Sequence, residues 1–367
     1  MLFRRRRKPL RTVIFEVTQA CNHDCRHCYN VWKCPQAYPD GELDTAGTKR
    51  LLDRIFDETR TRHLTLSGGE PLLREDIFDL MAHAAERHVN INLLTNGSLL
   101  DEEAAKRCAE AGLTLFEIPL LSAEPETHDY LTGTSSFDEV VEAIPNARLS
   151  GAHVVAVFVV TKLNADHIRR TIEMAFALGA QAMMVNRFNV GGRGIENLEE
   201  LMPSAEQVRD ALAVADDCAR RFGLPVSCSV PVPPCVVDTS EFEKVGFGFC
   251  AAGTERAYYT FDALGNVRMC NHTPTILGNI LEQPFGEIVE STAARDFMAA
   301  VPEECVGCEH LRECQGGCKA AAEQCYADLT ALEPFVARCT DPSVARCLTP
   351  FGVGIPPKGQ GLAGPCL

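Results

Sequence analysis

Apolar residues fall into short runs rich in β-branched residues and longer segments with the spacing of amphipathic helices. The short runs predict six strands, at residues 12–17, 63–67, 91–95, 113–118, 154–160 and 181–186. The longer segments predict six helices, at residues 45–59, 75–88, 101–111, 136–149, 165–178 and 204–222. Near-continuous apolar strands that alternate with helices indicate a parallel sheet covered by helices. Since a closed barrel has eight such units, the pattern predicts an α/β fold with a partial (β/α)6 TIM-like barrel.

Residues with capping chemistry stand at the predicted helix ends. Short polar side chains are expected as N-caps, and glycines as C-caps, because each satisfies or tolerates the backbone conformation at that end of a helix. The predicted N-caps are Asp44 or Thr45, Asp101 and Ser204, and the predicted C-caps are Gly112, Gly151, Gly179 and Gly223.

The pattern changes after Gly223. The prolines in Val230–Cys235 exclude a central strand or a helix there, so this stretch is predicted to be extended. A hairpin is predicted beyond it, with strands at 257–261 and 267–270 around a turn at 262–266. The predicted organisation is a basic tail at 1–10, the partial barrel at 11–228, a linker at 229–249, a small cysteine-rich α+β domain at 250–347 and an irregular tail at 348–367.

Charge and hydropathy exclude several classes of partner. The net charge of −15 argues against nucleic acid, because phosphate binding depends on a high density of Lys and Arg. The one basic run, Arg4–Lys8, is interpreted as a solvated tail or as an anchor for an acidic partner. Neither a long apolar segment nor a signal sequence is found, which predicts a cytoplasmic protein without a membrane partner.

The chain has 18 cysteines, and they are clustered. Disulfides are not expected, because a cytoplasmic chain of this size keeps its thiols reduced. Clusters at short spacing indicate metal ligation instead, by iron–sulfur clusters or, for Cys305-x-x-Cys308, by zinc. Six cysteines have no ligand spacing or lie in the tail, and they are interpreted as packing residues or free thiols: Cys34, Cys108, Cys218, Cys228, Cys347 and Cys366.

The most specific motif lies directly after the first predicted strand. Cys21, Cys25 and Cys28 have the spacing C-x3-C-x2-C, and Ser67-Gly68-Gly69-Glu70-Pro71 follows the second strand. Three thiolates on one loop can hold a four-iron cluster and leave one iron open to a substrate or co-substrate. Because both segments follow parallel strands, we expect them to lie together at the carboxyl ends of the strands, an edge we call the mouth.

These two motifs resemble those of the radical S-adenosylmethionine superfamily, and the resemblance covers about residues 11–225. It implies that the three cysteines hold a 4Fe–4S cluster whose open iron binds S-adenosylmethionine, which is then cleaved to a 5′-deoxyadenosyl radical. It also implies cofactor contacts from positions in and near the motifs. These positions are His27, Gly68, Gly69, Glu70, Pro71, Asn96 and Ser122. Arg187 and Arg193, after the sixth strand, are candidates to bind a carboxylate of the cofactor or substrate. Tyr29 and Trp32 either line the mouth or pack within it.

The cysteines after residue 249 resemble the SPASM extension of radical enzymes that modify peptides and proteins. The resemblance implies two auxiliary 4Fe–4S clusters, and therefore three clusters in all. Its positions assign Cys250, Cys270 and Cys318 to the first auxiliary cluster, and Cys305, Cys308 and Cys314 to the second. The candidates for a fourth ligand are Cys235 in the first cluster and either Cys339 or Cys325 in the second, since Val336 stands where relatives often have cysteine. Open iron sites and a pair of zinc sites are the alternatives.

The resemblance predicts a radical enzyme, and its substrate stays open among three classes. The first hypothesis is maturation of a ribosomally made peptide by a crosslink, a thioether or epimerisation, and the second is tailoring of a tetrapyrrole or another small molecule. Oxidation of a protein side chain is the third, and Asn271 counts against it because sulfatase-maturing relatives have Asp there. The expected partners are an electron donor such as flavodoxin or ferredoxin and, for a peptide, a separate recognition protein. An iron–sulfur carrier is the non-enzymatic alternative.

Overall fold

The computed structural model describes residues 10–33 and 38–340. The basic run at 4–8, Cys34, Cys347, Cys366 and the predicted tail at 348–367 lie outside the described residues. No helix in the described part of the chain is long and apolar enough to cross a membrane.

The described strands form one mixed sheet. Its order is β11-β10-β9-β1-β2-β3-β4-β5-β6-β7-β8, and the pairs from β1 through β8 are parallel. The six predicted strands are β1 Thr12–Thr18, β2 His63–Gly68, β3 Asn90–Leu94, β4 Leu113–Pro119, β5 His153–Val160 and β6 Ala182–Arg187. The others are β7 Val226–Cys228, β8 Val245–Phe247, β9 Tyr259–Phe261, β10 Asn266–Arg268 and β11 Ile276–Asn279. The expected α/β fold with a partial barrel is therefore confirmed.

The predicted helices are present, with shorter ends in several cases. In the barrel they are α1 Thr45–Thr59, α2 Ile77–Ala85, α3 Glu102–Glu110, α4 Pro125–Thr132, α5 Phe137–Leu149, α6 Ile168–Leu178, α7 Leu198–Leu201 and α8 Ala205–Phe222. The later helices are α9 Phe285–Ile288, α10 Thr292–Ala299, α11 Leu311–Cys314, α12 Lys319–Tyr326 and α13 Pro334–Thr340. The sequence pattern missed α4 and α7, because they are short and carry little apolar periodicity.

Helix capping follows the predicted chemistry. Asp44, rather than Thr45, caps α1, and Asp101 and Ser204 cap α3 and α8 by accepting hydrogen bonds from backbone N–H groups. Gly179 and Gly223 are left-handed C-caps. The other two predicted C-caps, Gly112 and Gly151, lie one residue beyond the cap.

The two faces of the barrel strands differ in burial. In β5 the residues Val154, Ala156, Phe158 and Val160 are buried and join the main apolar core with the helices. The residues between them are only partly buried, and because side chains alternate along a strand they face the other, concave side of the sheet. We call this concave space the lumen. It opens at the mouth, where the candidate motifs lie.

The C-terminal strands continue the barrel sheet. The strand β9 pairs in parallel with β1, and β9 and β10 form the predicted antiparallel hairpin. At the other edge β8 pairs with β7, so the segment at 229–249 that was predicted as a linker contains a short edge strand. The buried side chains of Arg268 on β10 and Glu16 on β1 form an ion pair between the two regions.

Breaking this ion pair tests how strongly it holds the two regions together. Arg268→Ala leaves the Glu16 carboxylate buried without its cation, which is expected to lower the free energy of unfolding by about 3–5 kcal/mol. Arg170→Ala is the matched control, since the Arg170–Glu124 pair is exposed and is expected to contribute less than about 1 kcal/mol. Anaerobic urea denaturation measures both, and equal effects of the two substitutions would contradict the prediction.

Candidate functional site

The three motif cysteines lie together at the mouth, on the loop that leaves β1. Burial, followed by the charges of Cys28 and Cys21, raises the pKa of the Cys25 thiol, so the three sulfur atoms influence one another directly. The thiol of Cys21 also accepts a hydrogen bond from the backbone N–H of His23, at 3.4 Å. Three thiols on one loop with a partly accessible face fit a four-iron cluster with one open iron.

The Gly-Gly-Glu-Pro turn touches the backbone that enters the cysteine loop. The N–H of Gly69 donates to the carbonyl of Thr18 at 2.9 Å, and the N–H of Glu70 donates to the carbonyl of Ala20 at 2.8 Å. A Cβ atom on Gly69 would lie 2.0 Å from the Ala20 oxygen, and one on Gly68 would lie 2.3 Å from the Thr18 oxygen. Only glycine allows this approach, so the structure brings the two motifs together as the sequence predicted.

The carboxylate of Glu70 is buried and points into the protein. It accepts hydrogen bonds from the N–H of Leu72 at 3.0 Å, the hydroxyl of Thr95 at 2.8 Å and the N–H of Asn96 at 2.7 Å. Burial raises its pKa to about 7, and the three donors act in the opposite direction. With these contacts, Glu70 fixes the shape of the mouth, and the backbone of its turn is left to meet a ligand.

Two asparagines tie the cysteine loop to neighbouring strand ends. Asn96 donates from its side chain to Asn22 at 2.8 Å, and Asn22 donates to Ser98 at 2.8 Å. The side chain of Asn30 donates to the carbonyl of Gly68 at 2.9 Å. Asn96 therefore lies at the mouth, where a cofactor contact was predicted, and its present partner is the cysteine loop.

Two further segments form backbone hydrogen bonds with the cysteine loop. At the end of α4, the N–H of Asp24 donates to Thr132 and the N–H of Arg26 donates to Leu131. In the glycine-rich loop at 191–194, the N–H of Gly194 donates to the carbonyl of Cys28 at 3.0 Å. The cysteine loop is thus held by four segments, which are the glycine turn, the loop after β3, the end of α4 and the loop at 191–194.

Two residues that were predicted to contact the cofactor are engaged with other protein groups in the structure. Ser122 is fully buried, and its hydroxyl contacts His167 at 2.9 Å and accepts from the N–H of Glu124 at 2.8 Å. Arg187 is 2% exposed and forms an ion pair with the equally buried Glu333 at 2.5 Å. Its guanidinium stabilises the interior and is not available to an incoming carboxylate.

The other two candidates outside the glycine turn remain near the mouth. Arg193 forms an ion pair with Asp24, so its guanidinium binds the cysteine loop in this structure. His27 has a buried Nδ1 atom without a hydrogen-bond partner. Burial lowers the pKa of His27 to about 4, so the ring is neutral at physiological pH.

The first auxiliary set contains three thiols close to one another. Burial is the main cause that raises the pKa of Cys270, and the nearby charges of Cys318 and Cys250 raise it further. The pKa of the Tyr258 phenol is raised mainly by burial and also by the nearby charges of all three thiols. Asn189 donates to the Cys318 sulfur at 3.3 Å.

The second auxiliary set contains four thiols, because Cys235 joins it. Burial and then the charges of Cys235 and Cys308 raise the pKa of Cys305. The charge of Cys235 also contributes to the raised pKa of Cys314, for which burial is the main cause. Cys235 was assigned to the first set from the sequence, and the structure places it with the second. This long-range proximity of Cys235 to Cys305 and Cys314 could not be read from the spacing along the chain.

The remaining fourth-ligand candidates differ in position. Burial is the main cause that raises the pKa of Cys339, and the charge of Cys235 also contributes. Cys325 is fully buried on α12 in the main apolar core. Cys339 on α13 is partly buried, and its thiol accepts from the N–H of Ala205 at the start of α8. Val336 is buried on α13 at the position where a cysteine was sought.

A polar chain connects the first cysteine loop to the first auxiliary set. Asn271, next to Cys270, donates to the hydroxyl of Tyr29, next to Cys28, at 2.7 Å. The Tyr258 hydroxyl donates to the other end of the Asn271 amide at 3.4 Å. The rings of Tyr29 and His272 pack with their centroids 5.1 Å apart. Proximity in sequence to Cys28 and Cys270 was the signal that pointed to Tyr29 and Asn271.

Gln324 on α12 was not identified from the sequence. Its side chain donates to the carbonyl of His272 at 2.6 Å and accepts from the N–H of Gly192 at 2.8 Å. A single glutamine on a short helix carries no motif, so only the fold reveals that it joins the C-terminal region to the mouth.

The described residues contain no group of three or more His, Cys, Asp or Glu side chains that converges on a position for one metal ion. A zinc site needs four donors around one ion. Cluster thiolates bind different irons, so the wider spacing of the three cysteine sets is compatible with iron–sulfur clusters.

Comparison with known protein families matches two parts of the chain. Residues 15–175 match the radical SAM superfamily, and residues 250–315 match an iron–sulfur cluster-binding domain, SPASM. The first match contains Cys21, Cys25, Cys28 and the Gly-Gly-Glu-Pro turn, and the second contains Cys250, Cys270, Cys305, Cys308 and Cys314.

Several characterised proteins are similar to nearly the whole chain. An AdoMet-dependent heme synthase of Methanosarcina barkeri is 29% identical over 89% of this chain and 95% of its own length. The mycofactocin maturase MftC of Mycolicibacterium smegmatis is 28% identical over 84% of this chain and 77% of its length. The PqqA peptide cyclase of Granulibacter bethesdensis is 26% identical over 89% and 87%, respectively.

A solved structure supports the fold. The structure described as native anSMEcpe with bound AdoMet superposes with a TM-score of 0.68, at 18% identity, over 91% of this chain and 98% of that one. At this level of identity, the likeness concerns the arrangement of strands and helices.

Removing the glycine contact tests the geometry of the mouth. Gly69→Ala puts a methyl group against the Ala20 carbonyl, so the turn must move away from the cysteine loop, and the bound iron and the affinity for S-adenosylmethionine are expected to fall at least about tenfold. Gly246→Ala is the control, because its Cβ would be 3.8 Å from the nearest atom. Iron analysis and equilibrium dialysis after anaerobic purification give the result, and full cofactor affinity in Gly69→Ala would contradict it.

Proposed function

We propose that this chain, which belongs to the radical S-adenosylmethionine superfamily and carries a SPASM domain, matures a ribosomally made peptide. The observation that carries the enzyme class is the backbone contact between the Gly-Gly-Glu-Pro turn and the start of the cysteine loop. An iron–sulfur carrier has no need for this contact, whereas an enzyme that binds a cofactor over an open iron does. When bound, the cluster and S-adenosylmethionine supply one-electron cleavage to methionine and a 5′-deoxyadenosyl radical.

The protein's own residues position the reactants and exclude water. Glu70, held by three donors, keeps the glycine turn in place, so the turn's backbone can face the amino group of the cofactor. Asn96 and Asn30 lock the cysteine loop to the strand ends. Neutral His27 offers an apolar ring face beside Cys28, which suits contact with a purine.

The cysteine sets support three 4Fe–4S clusters. Cys21, Cys25 and Cys28 would hold the first, with one open iron. Cys305, Cys308 and Cys314, completed by Cys235, would hold a fully ligated auxiliary cluster. Cys250, Cys270 and Cys318 would hold the other auxiliary cluster, and Tyr258 lies close to these three thiols.

A peptide suits the charges around the mouth better than a polyanionic small molecule does. Three arginines of this region are paired with protein carboxylates: Arg187 with Glu333, Arg268 with Glu16 and Arg193 with Asp24. Arg26 of the cysteine loop lies over the ring of Tyr130 instead. A tetrapyrrole with acidic side chains needs cations to neutralise it. A peptide needs hydrogen-bonding groups, which the mouth provides through Asn96, Tyr29 and Asn271.

The second candidate function is tailoring of a tetrapyrrole. Its support is the similarity to the AdoMet-dependent heme synthase, which extends over 95% of that protein. Either function requires an external one-electron donor, for which a flavodoxin or ferredoxin is proposed. A reducing cytoplasm is the compartment that keeps cluster thiolates free.

Product analysis distinguishes the two functions. The reduced, cluster-loaded enzyme is incubated anaerobically with S-adenosylmethionine and either a synthetic peptide translated from a short reading frame beside the gene or an iron coproporphyrin. The expected result is deoxyadenosine release with a peptide that has lost hydrogen or exchanged it with solvent, detected by mass spectrometry. Conversion of the tetrapyrrole alone would refute peptide maturation. Cys28→Ala is the inactive control, because it removes a ligand of the first cluster.

Iron counting tests the assignment of Cys235. A chain with three clusters binds about twelve iron atoms, and Cys235→Ala is expected to reduce this number to about eight by destabilising the second auxiliary cluster. Cys218→Ala is the matched control, since that buried thiol lies on α8 outside the three sets. An unchanged iron content and unchanged Mössbauer spectra in Cys235→Ala would exclude Cys235 as a ligand.

A further inference from the structure

One acidic side chain in the lumen has no assigned role. Glu117 lies on β4, on the partly buried face of the strand that is directed to the lumen. Its neighbours in register are Leu94 on β3 and Val155 on β5, so its surroundings within the sheet are apolar. The side chain is partly accessible.

Glu117 differs in its contacts from the other acids of the interior. Glu16 and Glu333 have arginine partners, Glu70 has three donors, and Glu323 accepts hydrogen bonds from two threonine hydroxyls. For Glu117, the described part of the chain provides neither a side-chain hydrogen bond nor an ion pair. Burial alone raises its pKa to about 7. A carboxyl group left without a partner in such surroundings lowers stability, which indicates a role outside the protein's own packing.

The position of Glu117 relates it to the reaction space. The backbone N–H of Thr95 donates to the carbonyl of Glu117 at 3.2 Å, and the Thr95 hydroxyl donates to Glu70 beneath the glycine turn. Glu117 is therefore one step deeper in the lumen than the residues that shape the mouth. Its charge also contributes to the raised pKa of Tyr29, which lies at the end of the cysteine loop, although burial is the main cause there.

We propose that Glu117 binds the substrate at the inner end of the lumen and receives a hydrogen bond from an amide, amine or guanidinium group of the peptide. This inference rests on the proposed function and names the chemistry that its substrate presents. An anionic group at this position would meet a carboxylate in apolar surroundings and would be disfavoured.

The variants Glu117→Gln and Glu117→Leu test the proposal, with Glu126→Gln as the control on the exposed surface of α4. For Glu117→Leu, the KM for the synthetic peptide is expected to rise at least about tenfold, the equivalent of one hydrogen bond to a charged group. The affinity for S-adenosylmethionine and the slow release of deoxyadenosine without peptide are expected to stay within about twofold of the wild type. Glu117→Gln, which keeps an acceptor oxygen, should lie between the wild type and Glu117→Leu.

Thermal unfolding without substrate provides an independent measurement. Because burial raises the pKa of Glu117, the wild type loses stability as pH rises through about 7. The Tm of Glu117→Gln should therefore exceed that of the wild type at about pH 8, and the difference should shrink toward about pH 6. The groups near Glu117 are the same in both proteins: Leu94 and Val155 in register and the titratable phenol of Tyr29. The comparison thus isolates the one carboxyl.

Three outcomes would overturn the proposal. An unchanged KM in Glu117→Leu would show that the substrate does not use this group, and a loss of S-adenosylmethionine affinity would assign it to the cofactor instead. A Tm that falls in both variants would identify a structural role. A wild type that releases deoxyadenosine but processes only the tetrapyrrole would refute the proposed peptide function, and the KM for that tetrapyrrole in Glu117→Leu would then fall as repulsion is relieved.

Discussion

The site depends on the close contact of two backbone segments. The end of β2 lies against the chain that enters the cysteine loop, with hydrogen bonds from Gly69 to Thr18 and from Glu70 to Ala20. Any side chain at Gly69 would collide with the Ala20 carbonyl. The three thiols obtain a fixed place relative to the strand ends because of this contact, and Glu70, Asn96 and Asn30 reinforce it. A site for a large cofactor above a cluster requires this rigidity, since small displacements of reacting groups are costly in rate.

The C-terminal region is joined to the mouth by polar contacts as well as by the sheet. Asn271 and Gln324 reach the segments that hold the first cysteine loop, and each lies beside or near a residue of the first auxiliary set. Arg268 and Glu16 add a buried ion pair between β10 and β1. These contacts bring the first auxiliary thiols to the side of the lumen where Tyr29 lies. Among the described residues, no such contact links the second set, which includes Cys235, to Tyr29.

Much of this arrangement could be predicted from sequence, for identifiable reasons. Six strands, the helices between them and the capping residues follow from periodicity and local chemistry, and the cysteine and glycine motifs predicted a common mouth. Side-chain orientation could not be predicted. Ser122 and Arg187 follow strands as a ligand contact would, yet the fold turns one toward His167 and the other toward Glu333. The placement of Cys235 depends on a long-range contact that sequence spacing does not encode, and α4 was missed because its apolar pattern is weak.

The parallel pairing of β1 with β9 has a consequence for biosynthesis. The strand β1 is synthesised some 240 residues before β9, so one edge of β1 stays unsatisfied while the segment between them is made. An open edge in a sheet core is a site for aggregation. A protein shortened before β9 would retain this exposed edge permanently, so the N-terminal region is not expected to behave as a separable unit.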